Sequence, residues 1–513
     1  MTEKKPHCII EFKLYTAQWQ ADRLNHMFDC YERMYNTMIR YAKKQLAKLR
    51  NDEEYKSLLS SYSELLKNDK LSKSEKALKS TISKRLNEIV KSYGLSQCQF
   101  EDYLKINRIN AFNGELHSAI TQKIALAAWT AVDKVLYSDG KKLHFKKRGA
   151  MRSFEGKSNA TGIQFDKETN LVTVNKMKMP IKFRHNDNYA NTILKNKICY
   201  CRIVRKPFKT GYKYFVQLIL EGEPPKLELG VGDVGLDQGT STIAAVGDYN
   251  VMINAHGITD TKTDKDYNKE IIHYSRMLER SLRLNNTQNY NEDGTIKSGK
   301  LTWVRTKNYC RILFRLKDAY RRKAAFVKQQ HGYNINKTLK MGDNFYTEPM
   351  NWKALQKRSK KTEKSDKEIV VKTKTGKSKK VLKNKKKKRF GKSLNNHSPG
   401  LFEKIVVQKL GYHHKKLNYV NLQTYRASQY NPETKEYNKS GLSDRVKVLF
   451  DKLIQRDLLS AFLLQNPMND LNNIDINKVE LKIDKFIAMH DACMAEIATK
   501  PNMPECMGLK HFK

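Results

Sequence analysis

The chain has 513 residues, and its 98 lysines and arginines outnumber 53 aspartates and glutamates to give a formal net charge of +45. Repulsion of this size destabilises a compact state unless a polyanion neutralises it, and nucleic acid does so by releasing condensed counterions. The positive charge is spread from end to end and not confined to one amphipathic helix, which argues against a membrane-surface protein. The composition therefore favours a nucleic-acid partner, and the length suggests about three domains.

The eight cysteines include no Cys-x-x-Cys pair. This spacing indicates neither a disulfide framework nor a zinc ribbon, so we expect a reducing cytoplasm. The N-terminus has no signal-peptide core, and no apolar run approaches the ~18 residues that a membrane-spanning helix needs. We therefore expect a cytoplasmic protein without a membrane partner.

Residues 8–15 are typical of a strand, and Thr16 can cap the helix that follows. Apolar residues of this helix recur at intervals of three and four, which predicts a face packed against a core. They are Leu24, Met27, Phe28, Tyr31, Met34, Tyr35, Met38 and Ile39. Residues 52–136 continue as charged helical segments, so we predict a helical domain after one strand.

Between residues 141 and 222 the pattern changes to short β-like runs separated by turn residues. The turn residues 209–211 lie between two such runs and predict a hairpin. We expect a small β-barrel here, completed by the N-terminal strand. Pro224 and Pro225 mark the linker that follows it.

Beyond the linker, strand-like and helical patterns alternate. The expected elements are a buried strand, a glycine turn and a second strand within 231–248, a basic helical insertion at 262–335 broken near 285–299, a strand from 344, a low-complexity basic run at 353–392, and helical segments around 400–416 and 444–465 that flank a β-like run at 417–422. Acidic residues that interrupt the apolar parts of this pattern are candidates for chemistry.

Three acids have this character. Asp237 interrupts the first apolar strand, Glu348 ends the later strand, and Asp457 lies in the first turn of a helix. Each has an ordinary interpretation, because Asp before Gly is common in turns and Asp at a helix start often caps the helix. Their joint order favours a site for two Mg²⁺ ions, which take hard oxygen ligands. Gly235 and Gly239 would let a phosphate backbone approach closely.

The segments around these acids resemble the split RuvC-like active site of the transposon-encoded TnpB family and of the related miniature type V CRISPR effectors. The matching motifs are Gly235-Leu236-Asp237-Gln238-Gly239, Glu348-Pro349-Met350-Asn351 and Arg456-Asp457-Leu458-Leu459-Ser460-Ala461. Residues 14–18, the pair Tyr35-Asn36 and residues 389–393 match further parts of the family. The resemblance is thus nearly full-length.

The resemblance implies an α+β multidomain fold. Its expected domains are a wedge-like small β-barrel at 1–15 and 137–225, a helical recognition domain at 16–136, and an RNase H-like (RuvC) nuclease domain at 226–513, which contains the helical insertion 262–335, the basic segment 353–392 and a zinc-ribbon-like region at 427–445.

The implied activity is that of an RNA-guided DNA endonuclease that hydrolyses phosphodiester bonds next to a short flanking motif. Asp237, Glu348 and Asp457 would be the catalytic residues and would hold two Mg²⁺ ions, with Mn²⁺ able to substitute. The implied partners are a guide RNA, double-stranded target DNA and its displaced single strand, with one protein copy per guide RNA. The implied location is the prokaryotic cytoplasm, in association with the nucleoid.

The basic run at 353–392 is interpreted as a nucleic-acid contact that becomes ordered on binding, in preference to a simple solubility segment. The expected nucleic-acid-binding residues are Tyr35, Asn36, Lys385, Lys386, Lys387, Lys388, Arg389, Lys392, Arg445 and Arg456.

Two departures from the family pattern matter. The family usually has two cysteine pairs before its last motif, whereas residues 427–445 contain no cysteine, so we expect no zinc there. Leu459 stands where the family often has Asn. The spacings of His490 with Cys493 and of Cys506 with His511 match no zinc finger, and we expect ordinary packing for them.

Three other functions stay open. An RNA-guided DNA-binding repressor that has lost cleavage would share the partners, and the missing zinc cysteines keep this alternative open. A transposase-like enzyme would transfer DNA strands with the same acids. A purely structural RNA-binding protein would have no need of acids embedded in apolar strands.

Overall fold

A computed structural model describes the chain except for residues 1–5, 68–71, 139, 257–263, 357–363, 373–377, 385–389, 440, 442–443, 501–502, 505–506 and 513, and except for a few further side chains, among them that of Lys392. The chain divides into two compact units, Met1–Pro225 and Lys226–Lys513. The division falls at the Pro-Pro pair. No helix among the described residues is both long and apolar enough to cross a membrane.

The first unit contains a set of helices around one long helix. These are α1 (Gln18–Leu49), α2 (Glu53–Leu65), α3 (Lys73–Ser92), α4 (Gln97–Asn110), α5 (Ser118–Tyr137) and α6 (Asn188–Leu194). All eight apolar residues of the predicted face on α1 are buried, which confirms the periodicity. The predicted cap is wrong, because the N-cap is Ala17 and not Thr16. The side chain of Gln20 accepts the Ala17 N–H at 2.9 Å.

The strands of the first unit form two sheets. They are β1 (His7–Lys13), β2 (Ser153–Glu155), β3 (Ile163–Asp166), β4 (Leu171–Val174), β5 (Met177–Pro180), β6 (Ile198–Phe208) and β7 (Gly211–Glu221). One sheet has the order β1-β7-β6-β2 and the other β3-β4-β5, with all pairs antiparallel. The predicted hairpin is confirmed, since β6 and β7 join through residues 209 and 210.

The expected barrel is not closed among the described residues. The N-terminal strand does join the later strands, because β1 pairs with β7 along its whole length. The two sheets are linked by an isolated bridge between Leu14 and Ile181, and neither sheet returns to its own first strand. The unit is therefore a mixed α/β structure with open sheets.

The second unit is built on a five-stranded sheet. Its strands are β8 (Asp233–Gln238), β9 (Thr242–Val246), β10 (Val251–Ala255), β11 (Asn344–Thr347) and β14 (Leu417–Tyr419), in the order β10-β9-β8-β11-β14. β8, β9 and β10 are antiparallel neighbours, whereas β11 runs parallel to both β8 and β14. The predicted strand, turn and strand after residue 231 are thus confirmed.

Helices cover both faces of this sheet. The helices of the unit are α7 (Asp264–Asn285), α8 (Lys307–Leu339), α9 (Trp352–Gln356), α10 (Gly391–His397), α11 (Pro399–Gly411), α12 (Arg456–Gln465) and α13 (Ile476–Ala498), of which α8, α11, α12 and α13 share cores with the sheet. Ile243 and Ala245 of β9 share a core with α8 and α11, while Ala244 and Val246 share another with α12 and α13. Because β9 is buried on both faces, its sequence is apolar throughout and does not alternate.

The second unit also contains three two-stranded pairs that the sequence patterns did not predict. Two-stranded antiparallel pairs are formed by β12 (Lys364–Lys372) with β13 (Ser378–Asn384), by β15 (Tyr430–Asn431) with β16 (Glu436–Tyr437), and by β17 (Val446–Leu449) with β18 (Lys452–Gln455). The helix predicted from 444 therefore begins only at Arg456. Positive φ angles at Phe450 and Asp451 form the hairpin turn, and no periodicity in the sequence signals them.

Candidate active site

Asp237 and Glu348 are brought together by two adjacent parallel strands. Leu236 of β8 pairs with Thr347 of β11, so the residues that follow each of them, Asp237 and Glu348, lie at the same end of the sheet. Neighbouring strands are about 4.8 Å apart. The Thr347 hydroxyl donates to the Leu236 carbonyl oxygen at 2.8 Å and fixes this register.

The third acid comes from the helix that packs across β8 and β9. Asp457 lies in the first turn of α12, whose N-cap is Gln455. The hydroxyl of Thr242, at the start of β9, donates to Oδ2 of Asp457 at 3.4 Å. Thr242 is also the residue whose carbonyl accepts the Gly239 N–H in the turn after β8. One threonine thus links the turn after Asp237 to the acid on α12.

Gly235 allows α12 to come this close. A Cβ atom on Gly235 would overlap the carbonyl oxygen of Ala461 and the backbone nitrogen of Gln465, both on α12. Gly239 has a similar structural reason, because a Cβ there would lie 2.7 Å from the Thr242 hydroxyl oxygen. Both glycines thus have a packing role inside the unit, and close approach of a phosphate backbone to them stays a prediction.

The electrostatics of the site show that the three carboxyl groups interact. Burial raises the pKa of Asp237 well above its ordinary value, and the charges of Asp457 and Glu348 raise it further, while Arg456 opposes them. Burial also raises the pKa of Glu348. Carboxylates that repel one another in a place with little water favour the binding of a cation between them.

Arg456 is a cation built into the site. Its Nε lies 3.7 Å from Oδ1 of Asp457, and Nη1 donates to the Gly441 carbonyl oxygen at 3.0 Å. Its side chain is 16% exposed. The sequence suggested a contact to nucleic acid for Arg456, and the structure places its charge beside the acids.

The three carboxyl groups are suitable ligands for magnesium, although they do not form a complete metal-binding site by themselves. Within the described ranges, no three His, Cys, Asp or Glu side chains are arranged as a ready metal-binding group. Mg²⁺ usually keeps several waters and takes one or two carboxylates together with substrate phosphates. Asp237, Glu348 and Asp457 supply hard oxygen ligands of this kind and are the residues that would hold the ion.

His490 supports α12, a role that the sequence did not reveal. Its Nε2 accepts the Gln455 N–H at 2.9 Å, and its Nδ1 donates to Oδ1 of Asp491 at 2.9 Å. The Gln455 side chain in turn accepts the Leu458 N–H at 2.8 Å. Both ring nitrogens of His490 are therefore engaged, which leaves none for a zinc ion shared with Cys493.

Two other motif positions also have structural roles. Asn351 accepts the Ala354 N–H at 3.0 Å and caps α9. Leu459, which stands where the family often has Asn, is 1% exposed and packs in the core with Phe462 and Phe486. The sequence departure at Leu459 thus extends an apolar core.

The residues expected to bind nucleic acid in the first unit are engaged within it. Tyr35 is buried at 7% exposure and presents no free face for stacking. Asn36 donates to the Lys146 carbonyl oxygen at 2.9 Å and accepts the Lys146 N–H at 2.8 Å. This paired contact attaches the segment around Lys146 to α1.

Most of the residues expected to bind nucleic acid in the second unit lie outside the described part of the chain. Lys385, Lys386, Lys387, Lys388 and Arg389 lie outside the described residues, and so does the side chain of Lys392. The backbone carbonyl of Arg445 accepts the Arg456 N–H at 3.0 Å, which connects Arg445 to the start of α12. Nucleic-acid contacts for these residues stay predictions.

Similarity to known proteins is found among solved structures. Neither protein-family models nor curated proteins match the chain. Among solved structures, a cryo-EM structure of a Cas12f1-sgRNA-target DNA complex is similar over 90% of this chain and 99% of that chain, with 11% identity and a TM-score of 0.40. A CRISPR-Cas12f ternary complex covers 88% and 86%, with 11% identity and a TM-score of 0.25. Both scores are too low to establish a shared fold.

Proposed function

We propose that the chain is an RNA-guided, Mg²⁺-dependent DNA endonuclease with an RNase H-like nuclease domain. The observation that carries the proposal is the convergence of Asp237, Glu348 and Asp457, in which the second and third acids raise the pKa of the first. Buried acids with perturbed pKa values cluster at functional sites, where burial and like charges are arranged for chemistry.

The architecture of the second unit supports the nuclease class. Three antiparallel strands are followed by two parallel ones in the order β10-β9-β8-β11-β14, and this mixed sheet supports an RNase H-like domain. Two of the acids lie at the ends of β8 and β11, and the third lies on the helix across them. Bound Mg²⁺ would activate water and stabilise the leaving oxygen in phosphodiester hydrolysis.

The other residues of the site would position these acids. Thr242 orients Asp457 by its hydrogen bond, and Arg456 offsets part of the negative charge. Gly235 keeps α12 against β8. RNA guidance, duplex DNA as the target and its displaced strand as a second ligand follow from the motif resemblance, and the +45 charge supports polyanionic partners.

A cleavage assay tests the proposal. RNA that copurifies with the expressed chain is sequenced, and plasmids carrying its complement beside randomised flanking sequence are incubated with the complex and Mg²⁺. We expect Asp237→Asn to cut at less than about one hundredth of the wild-type rate and to retain RNA binding. Asp233→Asn, at the other end of the same strand, is the matched control and should cut normally.

The outcomes separate the alternatives. Cleavage by Asp237→Asn at the wild-type rate would exclude this site. Guide-dependent binding by the wild-type chain without any cleavage would identify a repressor, and strand-transfer products formed without RNA would identify a transposase.

A further inference from the structure

The loop at 286–306, between α7 and α8, is organised by buried amides. Asn286 is fully buried, donates to the carbonyl oxygens of Leu282 and Val304 at 2.9 and 3.0 Å, and accepts the Val304 N–H at 2.6 Å. Asn289, 4% exposed, donates to the Thr302 carbonyl oxygen at 2.7 Å. Long loops with little secondary structure are usually functional when they are ordered.

This loop and the adjoining ends of α7 and α8 line an open cavity of about 470 Å³. Apolar side chains line much of it: Leu278, Leu282, Ile296 and Leu316. Two aromatic rings complete the wall, since Tyr290 and Trp303 meet edge to face at 5.9 Å with an angle of 83° between their planes. The volume lies within the range of about 300–1,000 Å³ that small-molecule sites occupy.

Arginines lie at the rim of the cavity. The Arg283 guanidinium lies 5.1 Å from the centre of the Tyr290 ring and donates to the Gly294 carbonyl oxygen at 3.3 Å. It also forms an ion pair with Glu279, another lining residue, at 3.1 Å. Arg305 also lines the cavity. Residues 275–316 carry nine lysines and arginines against three aspartates and glutamates. The cavity therefore combines aromatic side chains with a rim whose net positive charge comes from Arg305 and the surrounding basic residues, because Glu279 offsets the charge of Arg283.

We propose that this cavity binds an unpaired base of the bound RNA. Base stacking on aromatic rings together with backbone contacts to basic side chains is how proteins hold single-stranded nucleic acid without reading its sequence. The basic rim complements phosphates, whereas a protein partner would have to bring its own acidic surface. The inference rests on the RNA-binding part of the proposed function and does not depend on cleavage.

Binding of a defined RNA tests this proposal. The probe is a fluorescein-labelled oligouridine of about 20 nucleotides, measured with the full chain in EDTA so that cleavage plays no part. We expect Trp303→Ala to weaken binding about fivefold or more, because each stacked base contributes strongly, and Trp303→Phe to restore most of the affinity. Equal melting temperatures of the variants show that the loop still folds.

Tyr333→Ala is the matched control. Tyr333 is 59% exposed and lies near the other end of α8, about 36 Å along the helix from Tyr309. We expect its removal to leave RNA affinity within twofold of wild type. With 4-thiouridine in the probe, crosslinks should map to residues 286–306 and disappear in Trp303→Ala.

Several results would overturn the inference. They are unchanged affinity of Trp303→Ala, crosslinks confined to other segments, a larger loss for oligodeoxythymidine than for RNA, and a change in self-association without a change in RNA binding. A wild-type chain that binds no RNA at all would contradict both the proposed function and this inference, whereas RNA binding that Trp303→Ala leaves unchanged would contradict the inference alone.

Discussion

The carboxyl group of Asp237 is buried next to two others, and both effects raise its pKa. In the absence of a divalent ion, burial and the neighbouring carboxyl groups thus destabilise the ionised form of Asp237. Removal of the charge should stabilise the metal-free protein, although the same change removes a ligand for the ion. Asp237 is therefore a residue at which stability and the proposed activity oppose each other.

We expect Asp237→Asn to raise the melting temperature by a few degrees in EDTA at pH 8, since about 1 kcal/mol shifts a domain of this size by a few degrees. Addition of Mg²⁺ should then raise the melting temperature of the wild-type chain more than that of the variant. Differential scanning calorimetry measures both shifts, with Asp233→Asn as the control. A lower melting temperature for Asp237→Asn in EDTA would contradict charge repulsion between Asp237 and the other two acids.

Gly235 is a second important position, because its lack of a Cβ atom lets α12 pack close to β8. Gly235→Ala places a Cβ against the Ala461 carbonyl oxygen, so α12 must move and carry Asp457 with it. We expect a loss of about 1–3 kcal/mol in the free energy of unfolding, as for other overpacked sites, together with a loss of cleavage. Urea denaturation and the plasmid assay measure these effects.

Gly332→Ala provides the control for that change. Gly332 lies inside α8, and no atom lies within 4 Å of the position that a Cβ would take. The substitution should therefore stabilise the protein by about 0.5–1 kcal/mol, the usual gain from Ala in a helix interior. Equal destabilisation by both substitutions would show that close packing of α12 on β8 is not the cause.

At the scale of elements, the start of α12 depends on a neutral histidine on α13. Nε2 of His490 accepts the Gln455 N–H, so protonation of the ring would remove the acceptor. Burial lowers the pKa of His490, although Asp491 opposes this effect. A histidine whose pKa is lowered on folding contributes stability above its unfolded pKa of about 6.5, and this stability is lost as the pH falls towards the folded value.

We therefore expect the contribution of His490 to the free energy of unfolding to fall as the pH drops from 7.5 to 5.5, whereas the raised pKa values of Asp237 and Glu348 act in the opposite direction. His256 and His331 should add to this fall, because burial lowers their pKa values too. His490→Gln keeps an amide acceptor that does not titrate and should show a smaller fall, whereas His144→Gln, at an exposed position, should match the wild type. A fall in the free energy of unfolding that is as large in His490→Gln as in the wild type would contradict this role of His490.

At the scale of the whole molecule, the net charge of +45 acts in opposite directions on folding and on binding. Salt screens the repulsion within the free protein, so its melting temperature should rise with ionic strength. Salt also reduces the gain from counterion release, so RNA affinity should fall about 10³-fold or more between 50 and 200 mM salt if six or more phosphates are contacted. Thermal unfolding and fluorescence anisotropy across one salt series measure both trends, and salt-independent RNA affinity would contradict a phosphate-based interface.

Local patterns in the sequence were sufficient for most elements. The apolar face of α1, the β6–β7 hairpin, the strand that carries Asp237 and the helix that carries Asp457 all follow from periodicity and turn residues. Such patterns are local because side chains three or four residues apart share a helix face, and alternate residues share a strand face. Composition added the expectation of a polyanionic partner, since charge is a sum over residues and does not depend on the fold.

Only the tertiary structure decided which distant residues meet. The pairing of β8 with β11 places Glu348 beside Asp237, and the missing Cβ of Gly235 sets how closely Asp457 can approach them. The support of α12 by His490 and the hairpin before it likewise had no signal in the sequence. These features depend on strand register and on backbone contacts between segments far apart in the chain, which no local pattern of residue types encodes.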